Sequence, residues 1–310
     1  MREGTSVAFE QIKDEQRDFS FINTSYSEAV QHYLQFYHLP HKNIKYCHGY
    51  IHSSKEKIFV QSFSKSNPKG TVFLMHGYLD HVGCLSRFIH YLIEQNYQVI
   101  GFDLPGHGLS TGEKASIQDF EDYVEVLDDV IHLVKDNIAQ PLYLVAHSTG
   151  AAISFSYLLN HQNMFKRVVL IAPLIRAASF RVSKCLFWVA KPFIRQLPRV
   201  FRANSNEQAF LEFIKSDPLQ ARVLPMKWIG AKLTWFKRIS KGQTCSSDVL
   251  ILQGDRDKTV DWKYNLSYLE KSVPNNEIHL VKGAGHHLLN EVQIVQNQIF
   301  KQIERFFTIK

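Results

Sequence analysis

Residues 142–150 read LYLVAHSTG, and this stretch decides the fold. Its first half is an apolar run typical of a buried strand, and residues 151–155 suit the start of a helix. Ser148 therefore lies at a sharp strand-to-helix turn, between the small residues Ala146 and Gly150. This small-x-Ser-x-Gly pattern is typical of the nucleophile elbow, which exposes a serine hydroxyl above the end of a sheet. Alanine replaces the usual first glycine, and it is still small enough for the turn.

Two later loops offer the partners that a nucleophilic serine needs. The hydroxyl requires a base to take its proton and an acid to orient that base. In elbow architectures the acid and then the histidine follow the serine along the chain, each on a loop after a later strand. Residues 248–254 and 278–281 read as two such strands. The loops after them carry the candidate acids Asp255, Asp257 and Asp261 and the candidate bases His286 and His287.

Position within each loop distinguishes the candidates. We predict Asp257 as the acid, because the end of the strand and its turn must come before the acid can reach the histidine. Asp255 and Asp261 are interpreted as solvent-exposed residues on one side of the loop. We predict His286 as the base, because it directly follows a flexible Gly-Ala-Gly turn, and His287 then begins the last helix.

Acyl transfer also requires donors for the negative charge that develops on the carbonyl oxygen. Backbone amides supply these donors, and losing one typically slows the reaction about 10²–10³-fold. One donor is the amide after the nucleophile, which here belongs to Thr149. The other comes from the loop after the strand at residues 70–75, where Tyr78 follows Gly77. Gly77 lets the backbone take dihedral angles that other residues disfavour.

The motifs together resemble those of the α/β-hydrolases in the monoacylglycerol lipase, lysophospholipase and serine aminopeptidase group. They occur in order over most of the chain: HGY at 76–78, GFDLPGHGLS at 101–110, HSTG at 147–150, SDPL at 216–219, GDRD at 254–257, GAGH at 283–286 and NE at 290–291. The Asp-Pro-Leu piece favours the monoglyceride and lysophospholipid branch. Ser247-Asp248 departs from the family's usual Val-Pro, which affects the entry of a strand but not the chemistry.

This resemblance implies a serine hydrolase that cleaves carboxylic esters of single-chain acyl lipids through an acyl-enzyme. Ser148, Asp257 and His286 would form the triad, with the oxyanion hole at Tyr78 and Thr149. Three alternatives stay open: an aminopeptidase of the same fold, an acyltransferase of the same fold, and a non-catalytic lipid-binding relative. The scarcity of acids in residues 176–241 argues against the aminopeptidase, which must hold a substrate ammonium group.

Apolar strands alternate with amphipathic helices along the chain, which predicts an α/β fold with a mostly parallel eight-stranded sheet and helices on both faces. Strands are expected near 44–51, 57–64, 70–75, 97–102, 141–147, 166–172, 248–253 and 277–282. Helices are expected near 25–39, 83–95, 117–137, 150–161, 262–272 and 288–307. Residues 1–24 read as loosely ordered. Active sites in such sheets lie beyond the carboxyl ends of the strands, where the serine, acid and histidine loops begin.

Residues 176–241 interrupt this alternation, so we predict a helical lid inserted into a core of residues 1–175 and 242–310. The insertion has a net charge of +11, against −4 for the rest of the chain, and holds three of the four tryptophans. Basic residues mixed with aromatic ones suit an interface between anionic headgroups and acyl tails. The lid is therefore predicted to make peripheral contact with anionic membranes. Charge confined to the lid, without a nucleic-acid motif, argues against nucleic acid as a partner.

Composition supports an intracellular enzyme. The 310 residues are 45% hydrophobic and 21% charged, which is ordinary for a globular protein. The polar start lacks the apolar core of a signal peptide, and no run of about 18 apolar residues occurs. Four scattered cysteines read as reduced thiols, so we expect a cytoplasmic location. Without a zinc motif or a well-spaced dinucleotide motif, neither a metal nor a cofactor is predicted.

Overall fold

The computed structural model describes residues 2–22, 24–53, 56–161, 163–239 and 242–309. Ten strands occur in this part of the chain: β1 (Lys45–Ser53), β2 (Glu56–Ser64), β3 (Thr71–Met75), β4 (Gln98–Phe102), β5 (Leu142–His147), β6 (Arg167–Ile171), β7 (Gln196–Pro198), β8 (Val223–Pro225), β9 (Val249–Gly254) and β10 (Asn276–Val281). Eight of them form one sheet in the order β1-β2-β4-β3-β5-β6-β9-β10. β1–β2 and β2–β4 are antiparallel pairs, and the pairs from β4 to β10 are parallel. The predicted eight-stranded, mostly parallel sheet is confirmed.

Helices cover both faces of this sheet, as predicted. The described helices are α1 (Arg2–Glu15), α2 (Glu28–Phe36), α3 (Ser86–Glu94), α4 (Glu121–Val134), α5 (Thr149–Asn160), α6 (Phe180–Ala190), α7 (Gln208–Ser216), α8 (Met226–Ile239), α9 (Trp262–Ser272) and α10 (Gln293–Thr308). One apolar cluster joins α4, α5, α8 and α9 to one face of the sheet. A second cluster joins α1, α2, α3 and α10 to the other face.

The central strands read as unbroken apolar runs because both of their faces are covered. Along β3, Val72 and Leu74 pack in one cluster, while Phe73 and Met75 pack in the other. All four side chains are at most 1% exposed. Because β3, β5, β6, β9 and β10 run parallel, the loops that follow them lie at the same edge of the sheet.

The amino-terminal prediction was wrong, because residues 2–15 form α1 instead of a loosely ordered tail. Few apolar residues mark this helix, yet Phe9 and Ile12 are buried. The Phe9 ring packs edge-on against Tyr33 of α2, with centroids 5.7 Å apart. Its stability therefore comes from tertiary packing, which a weak local pattern does not reveal. The last helix also begins later than predicted, since a 3₁₀ turn at Leu288–Asn290 follows His287.

Residues 176–241, called segment 176–241 below, connect β6 to β9 and contain α6, α7, α8 and the antiparallel pair β7–β8. The α8 helix is tied to the core by Trp235, which is fully buried and donates its Nε1–H to Ser156 Oγ at 2.6 Å. At the start of the segment, Arg176 forms an ion pair with Asp261. No helix formed by the described residues combines the length and apolar character needed to cross a bilayer.

Candidate active site

Ser148 lies at the turn between β5 and α5, with φ +53° and ψ −108°. This left-handed conformation is unusual for a residue with a side chain and is typical of strained functional turns. The Ser148 amide donates to Ile171 O at 2.8 Å, which ties the turn to the end of β6. A Cβ at Gly150 would lie 2.6 Å from His76 O, so only glycine fits where the new helix passes the β3 loop.

The structure brings the three predicted triad side chains into one hydrogen-bonded chain. His286 Nε2 lies 2.9 Å from Ser148 Oγ, and His286 Nδ1 lies 2.7 Å from Asp257 Oδ2. The exposed fractions of Ser148, Asp257 and His286 are 5%, 6% and 3%. A nucleophile, a base and an orienting acid in this order can carry out acyl transfer.

Asp257 is held by donors on both carboxylate oxygens. Oδ1 accepts the amides of Thr259 and Val260 at 2.7 and 3.1 Å, and Oδ2 also accepts Gln253 Nε2 at 3.0 Å. Burial raises the pKa of Asp257, but the adjacent His286 and these hydrogen bonds outweigh it and keep the pKa below its usual value. Sequence reasoning missed Gln253, although a glutamine at the end of an otherwise apolar strand was its visible signal.

The other loop candidates lie elsewhere in the site. Asp255 Oδ1 accepts the Gly283 amide at 2.7 Å. Asp261 caps the first turn of α9 and pairs with Arg176. His287 lies beside His147, with ring centroids 5.0 Å apart and the ring planes tilted by 39°, and no hydrogen bond joins it to Ser148 among the described residues. Of the five candidates, only Asp257 and His286 enter the chain of hydrogen bonds that ends at the serine.

His147 packs against the base, with its ring centroid 4.8 Å from that of His286. Its Nε2 lies 3.0 Å from the carbonyl oxygen of His286. Burial, reinforced by the nearby His286, lowers the pKa of His147 to about 3. His147 is therefore neutral at physiological pH, and it adds no positive charge beside an imidazole that must itself gain a proton.

The loop after β3 passes close to the serine. A Cβ at Gly77 would lie 3.1 Å from Ser148 Cβ and 2.9 Å from His147 Nδ1, so this approach also requires glycine. Tyr78 follows on the same loop, and Thr149 begins α5 directly after the serine. Neither amide donates a hydrogen bond to another described residue. Within the described part of the chain, both N–H groups are thus candidate donors for a developing oxyanion.

The Tyr78 side chain contacts segment 176–241. Its ring stacks on Trp228 with centroids 3.7 Å apart, and its hydroxyl donates to Ala115 O at 2.6 Å. A cavity of about 700 Å³ lies between α6 and α8, lined by aromatic residues such as Phe187 and by basic ones such as Lys191. The triad residues do not line this cavity.

Among the residues that the structure describes, two groups of side chains bring possible metal ligands within 4.8 Å of one another. They are Asp80, His147 and His287, and His81, Cys84 and Asp217. In the second group, His81 Nε2 and Asp217 Oδ2 are 2.8 Å apart, closer than the roughly 3.3 Å between two ligands of tetrahedral zinc. In the first group, the positive charge of Arg199 already acts on Asp80 and His287, which opposes a further cation. We assign a metal to neither.

The chain is similar to known monoglyceride lipases. Mouse monoglyceride lipase is 27% identical over 264 residues, covering 82% of this chain and 87% of that protein. Human monoglyceride lipase is 29% identical over 247 residues, covering 76% of this chain and 81% of that protein. The crystal structure of a soluble variant of Saccharomyces cerevisiae monoglyceride lipase matches with a TM-score of 0.73 at 19% identity, covering 84% of this chain and 94% of that one.

A family model supplies the remaining comparison. The model described as serine aminopeptidase, S33 matches residues 66–293, which include the β3 loop, the elbow, and the acid and histidine loops. The match covers well over half of the chain. The protein therefore belongs to the serine aminopeptidase S33 family of α/β-hydrolases.

Proposed function

We propose that this protein is a serine hydrolase that cleaves esters of single-chain acyl lipids, of the monoacylglycerol lipase or lysophospholipase type. The observation that carries the proposal is the hydrogen-bonded chain from Ser148 through His286 to Asp257, at 2.9 and 2.7 Å. The two unengaged amides of Tyr78 and Thr149 beside the serine support it. The lipid substrate class rests on the likeness to monoglyceride lipases.

The mechanism follows from these positions. Ser148 attacks the ester carbonyl while His286 takes the hydroxyl proton, and the imidazolium then donates that proton to the departing alcohol. Asp257 keeps the Nδ1–H of the histidine directed toward itself and stabilises the imidazolium. The amides of Tyr78 and Thr149 bind the oxyanion. Water, activated by the same histidine, then hydrolyses the acyl-enzyme and releases the fatty acid.

Labelling by a fluorophosphonate probe tests the nucleophile. Wild-type protein should form a stable adduct, and Ser148→Ala should form none. Ser154→Ala is a matched control, because Ser154 is buried in α5, the helix that follows Ser148, but donates to Gly150 O at 2.9 Å and not to the histidine. Labelling that persists in Ser148→Ala would refute the assignment of the nucleophile.

A substrate panel tests the substrate class. It should contain monoglycerides, lysophospholipids, p-nitrophenyl esters of graded chain length and aminoacyl p-nitroanilides. We expect hydrolysis of the lipid esters and little release of p-nitroaniline. Preferential cleavage of the anilides would instead identify an aminopeptidase, and transfer of the acyl group to added alcohol in place of water would identify an acyltransferase.

We also propose that segment 176–241 is a lid that docks on anionic membranes from a cytoplasmic location. Several large apolar side chains on α6, just after it and just after β7 are more than half exposed: Val182, Trp188, Val189, Phe193 and Val200. Basic residues lie beside and among them: Arg181, Lys184, Lys191 and Arg195. Each Lys or Arg near an anionic leaflet adds about 1 kcal/mol of attraction. The exposed apolar groups can then enter the interface.

Vesicle flotation tests this docking. We expect more protein to float with anionic vesicles than with neutral ones, and Phe193→Glu to reduce the fraction that floats. Ile294→Glu is the matched control, because Ile294 on α10 is 80% exposed but lies outside the basic segment. Equal flotation with both vesicle types, or flotation with neither, would refute the membrane proposal.

A further inference from the structure

The loop that carries His286 is bound by a short stretch of segment 176–241. Residues 204–206 run alongside residues 283–291, and hydrogen bonds join them at several points. Ser205 Oγ donates to Asn290 O at 2.8 Å, and Asn206 Nδ2 donates to Gly283 O at 3.1 Å. The contact therefore spans the whole turn around the histidine.

The histidine backbone itself takes part in this contact. The carbonyl oxygen of Asn204 accepts the amides of both His286 and His287, at 2.8 and 2.9 Å. A Cβ at Gly285 would lie only 2.6 Å from that same oxygen, so the close approach requires glycine at this position. The position of the His286 main chain thus depends on a residue some eighty positions earlier in the sequence.

Glu291 connects the two stretches of chain in this contact, residues 204–206 and residues 283–291. Its side chain is fully buried, and it has no ion-pair partner among the described residues. Its Oε1 accepts the Gly285 amide at 2.9 Å and Asn206 Nδ2 at 3.2 Å, and its Oε2 accepts the Asn206 amide at 3.0 Å. A buried carboxylate that relies on N–H donors is costly to disturb, because any lost donor leaves an unpaired charge. The positions of these N–H donors around the Glu291 carboxylate are therefore closely constrained.

We propose that Asn206 and Glu291 are positioning residues for His286. This inference rests on the proposed function, since it assigns the pair a role in that chemistry. Glu291 fixes the turn before the histidine through Gly285, and Asn206 fixes Glu291 from segment 176–241. If segment 176–241 moves so that Asn206 separates from Glu291, the histidine loop is released as well. Opening of the site and loss of catalytic geometry are therefore coupled.

Kinetics of Asn206→Ala and Glu291→Gln test the proposal. A displacement of about 1 Å at a catalytic group can cost about 10²-fold in rate. We expect kcat to fall about 10- to 100-fold in each variant with KM nearly unchanged, because the substrate contacts remain. Rates are expressed per active site titrated with the fluorophosphonate probe, which removes any contribution from unfolded molecules.

The double variant and matched controls distinguish positioning from general damage. If both residues act through one contact, the double variant should lose no more activity than the more impaired single variant, whereas independent effects would multiply and overturn the proposal. Glu207 pairs with Arg87 and Gln208 donates to Glu212, so Gln208→Ala and Glu207→Gln alter polar side chains outside this contact, and their kcat should match that of the wild type. Unchanged kcat in Asn206→Ala would also overturn the proposal.

A spectroscopic readout separates this inference from the proposed function. The far-downfield proton resonance of the His286–Asp257 hydrogen bond is measured without substrate. We expect it to broaden or shift in Asn206→Ala and Glu291→Gln, but not in Gln208→Ala. A wild-type protein that is inert toward esters and probe would refute the proposed function while this resonance still tests positioning. An unperturbed resonance in both variants would refute positioning alone. If Glu291→Gln does not fold, Asn206→Ala carries the test.

Discussion

Asp217 Oδ2 lies 2.8 Å from His81 Nε2, and both side chains are completely buried. The other carboxylate oxygen accepts the Tyr37 hydroxyl at 2.6 Å and the Leu219 amide at 2.9 Å. Three distant parts of the chain thus meet at one carboxylate: the end of α2, the loop after β3 and the end of α7. The Asp-Pro-Leu piece anchors segment 176–241 to the loop that also carries Tyr78.

Removing the charge of Asp217 should destabilise the protein strongly. Breaking a buried ion pair typically costs about 3–5 kcal/mol, because the remaining partner is left buried and unpaired. We expect a loss of that size in the free energy of unfolding of Asp217→Asn, measured with denaturant. Asp248→Asn is the control, since its pair with Arg167 at 2.7 Å is 44% exposed on the aspartate side and should contribute less than about 1 kcal/mol. Similar losses in both variants would contradict the expectation.

The cost of Asp217→Asn should also depend on pH. Burial lowers the pKa of His81, but the charge of Asp217 and of neighbouring carboxylates outweighs it and raises the pKa overall. Burial likewise raises the pKa of Asp217, but His81 and the hydrogen bonds lower it on balance. A raised histidine pKa stabilises the fold fully below about pH 6.5, and a lowered aspartate pKa does so above about pH 4.

The difference in unfolding free energy between wild type and Asp217→Asn should therefore be largest between about pH 4 and 6.5. It should shrink above that range, as the pH rises through the folded-state pKa of His81, and below it, as the pH falls through that of Asp217. Denaturant titrations at pH 5.5 and pH 9 measure the change. A difference that grows toward pH 9 would mean that His81 carries no proton in the fold.

Local sequence patterns predict some features of this structure and leave others unpredicted. The strands, the elbow at Ser148 and the order of Asp257 and His286 were predictable, because each is a short run of sequence and a parallel sheet gathers strand ends at one edge. The sheet prediction is confirmed, while the catalytic roles stay predictions. The contact of Asn206 with Glu291 was not predictable, because nothing periodic in residues 204–206 indicates what they pack against.

Lys232 is buried in α8 without a carboxylate partner among the described residues. Its Nζ donates to Ile175 O at 3.0 Å and lies 3.6 Å over the Trp235 ring. Burial lowers the pKa of Lys232 well below its usual value. The ring favours the charged form by about 0.5–2 kcal/mol, which is less than the cost of burying an unpaired ammonium.

Lys232→Met should therefore stabilise the protein at pH 7, by on the order of 1–3 kcal/mol. The unfolded lysine binds a proton below about pH 10.4 that the folded one does not, so wild-type stability falls as the pH is lowered through this range. The stability gained from Lys232→Met should therefore grow as the pH is lowered, until the pH reaches the folded-state pKa of Lys232. Denaturant unfolding at pH 7 and pH 10 measures it, with the exposed Lys237→Met on the same helix as control. If Lys232→Met is instead less stable than the wild type, by an amount that does not change with pH, then Lys232 stays charged above Trp235.

Exchanging the two neighbouring loop acids tests the assignment of Asp257. Asp257→Asn removes the charge that stabilises the histidine cation and allows the wrong imidazole tautomer, a change that lowers kcat about 10⁴-fold in a comparable triad. We expect a loss of that order on a p-nitrophenyl ester, with the fold retained. Asp255→Asn should lose far less, because an asparagine oxygen can still accept the Gly283 amide that Asp255 binds at 2.7 Å. Near-normal turnover in Asp257→Asn together with an inactive Asp255→Asn would move the acid role to Asp255.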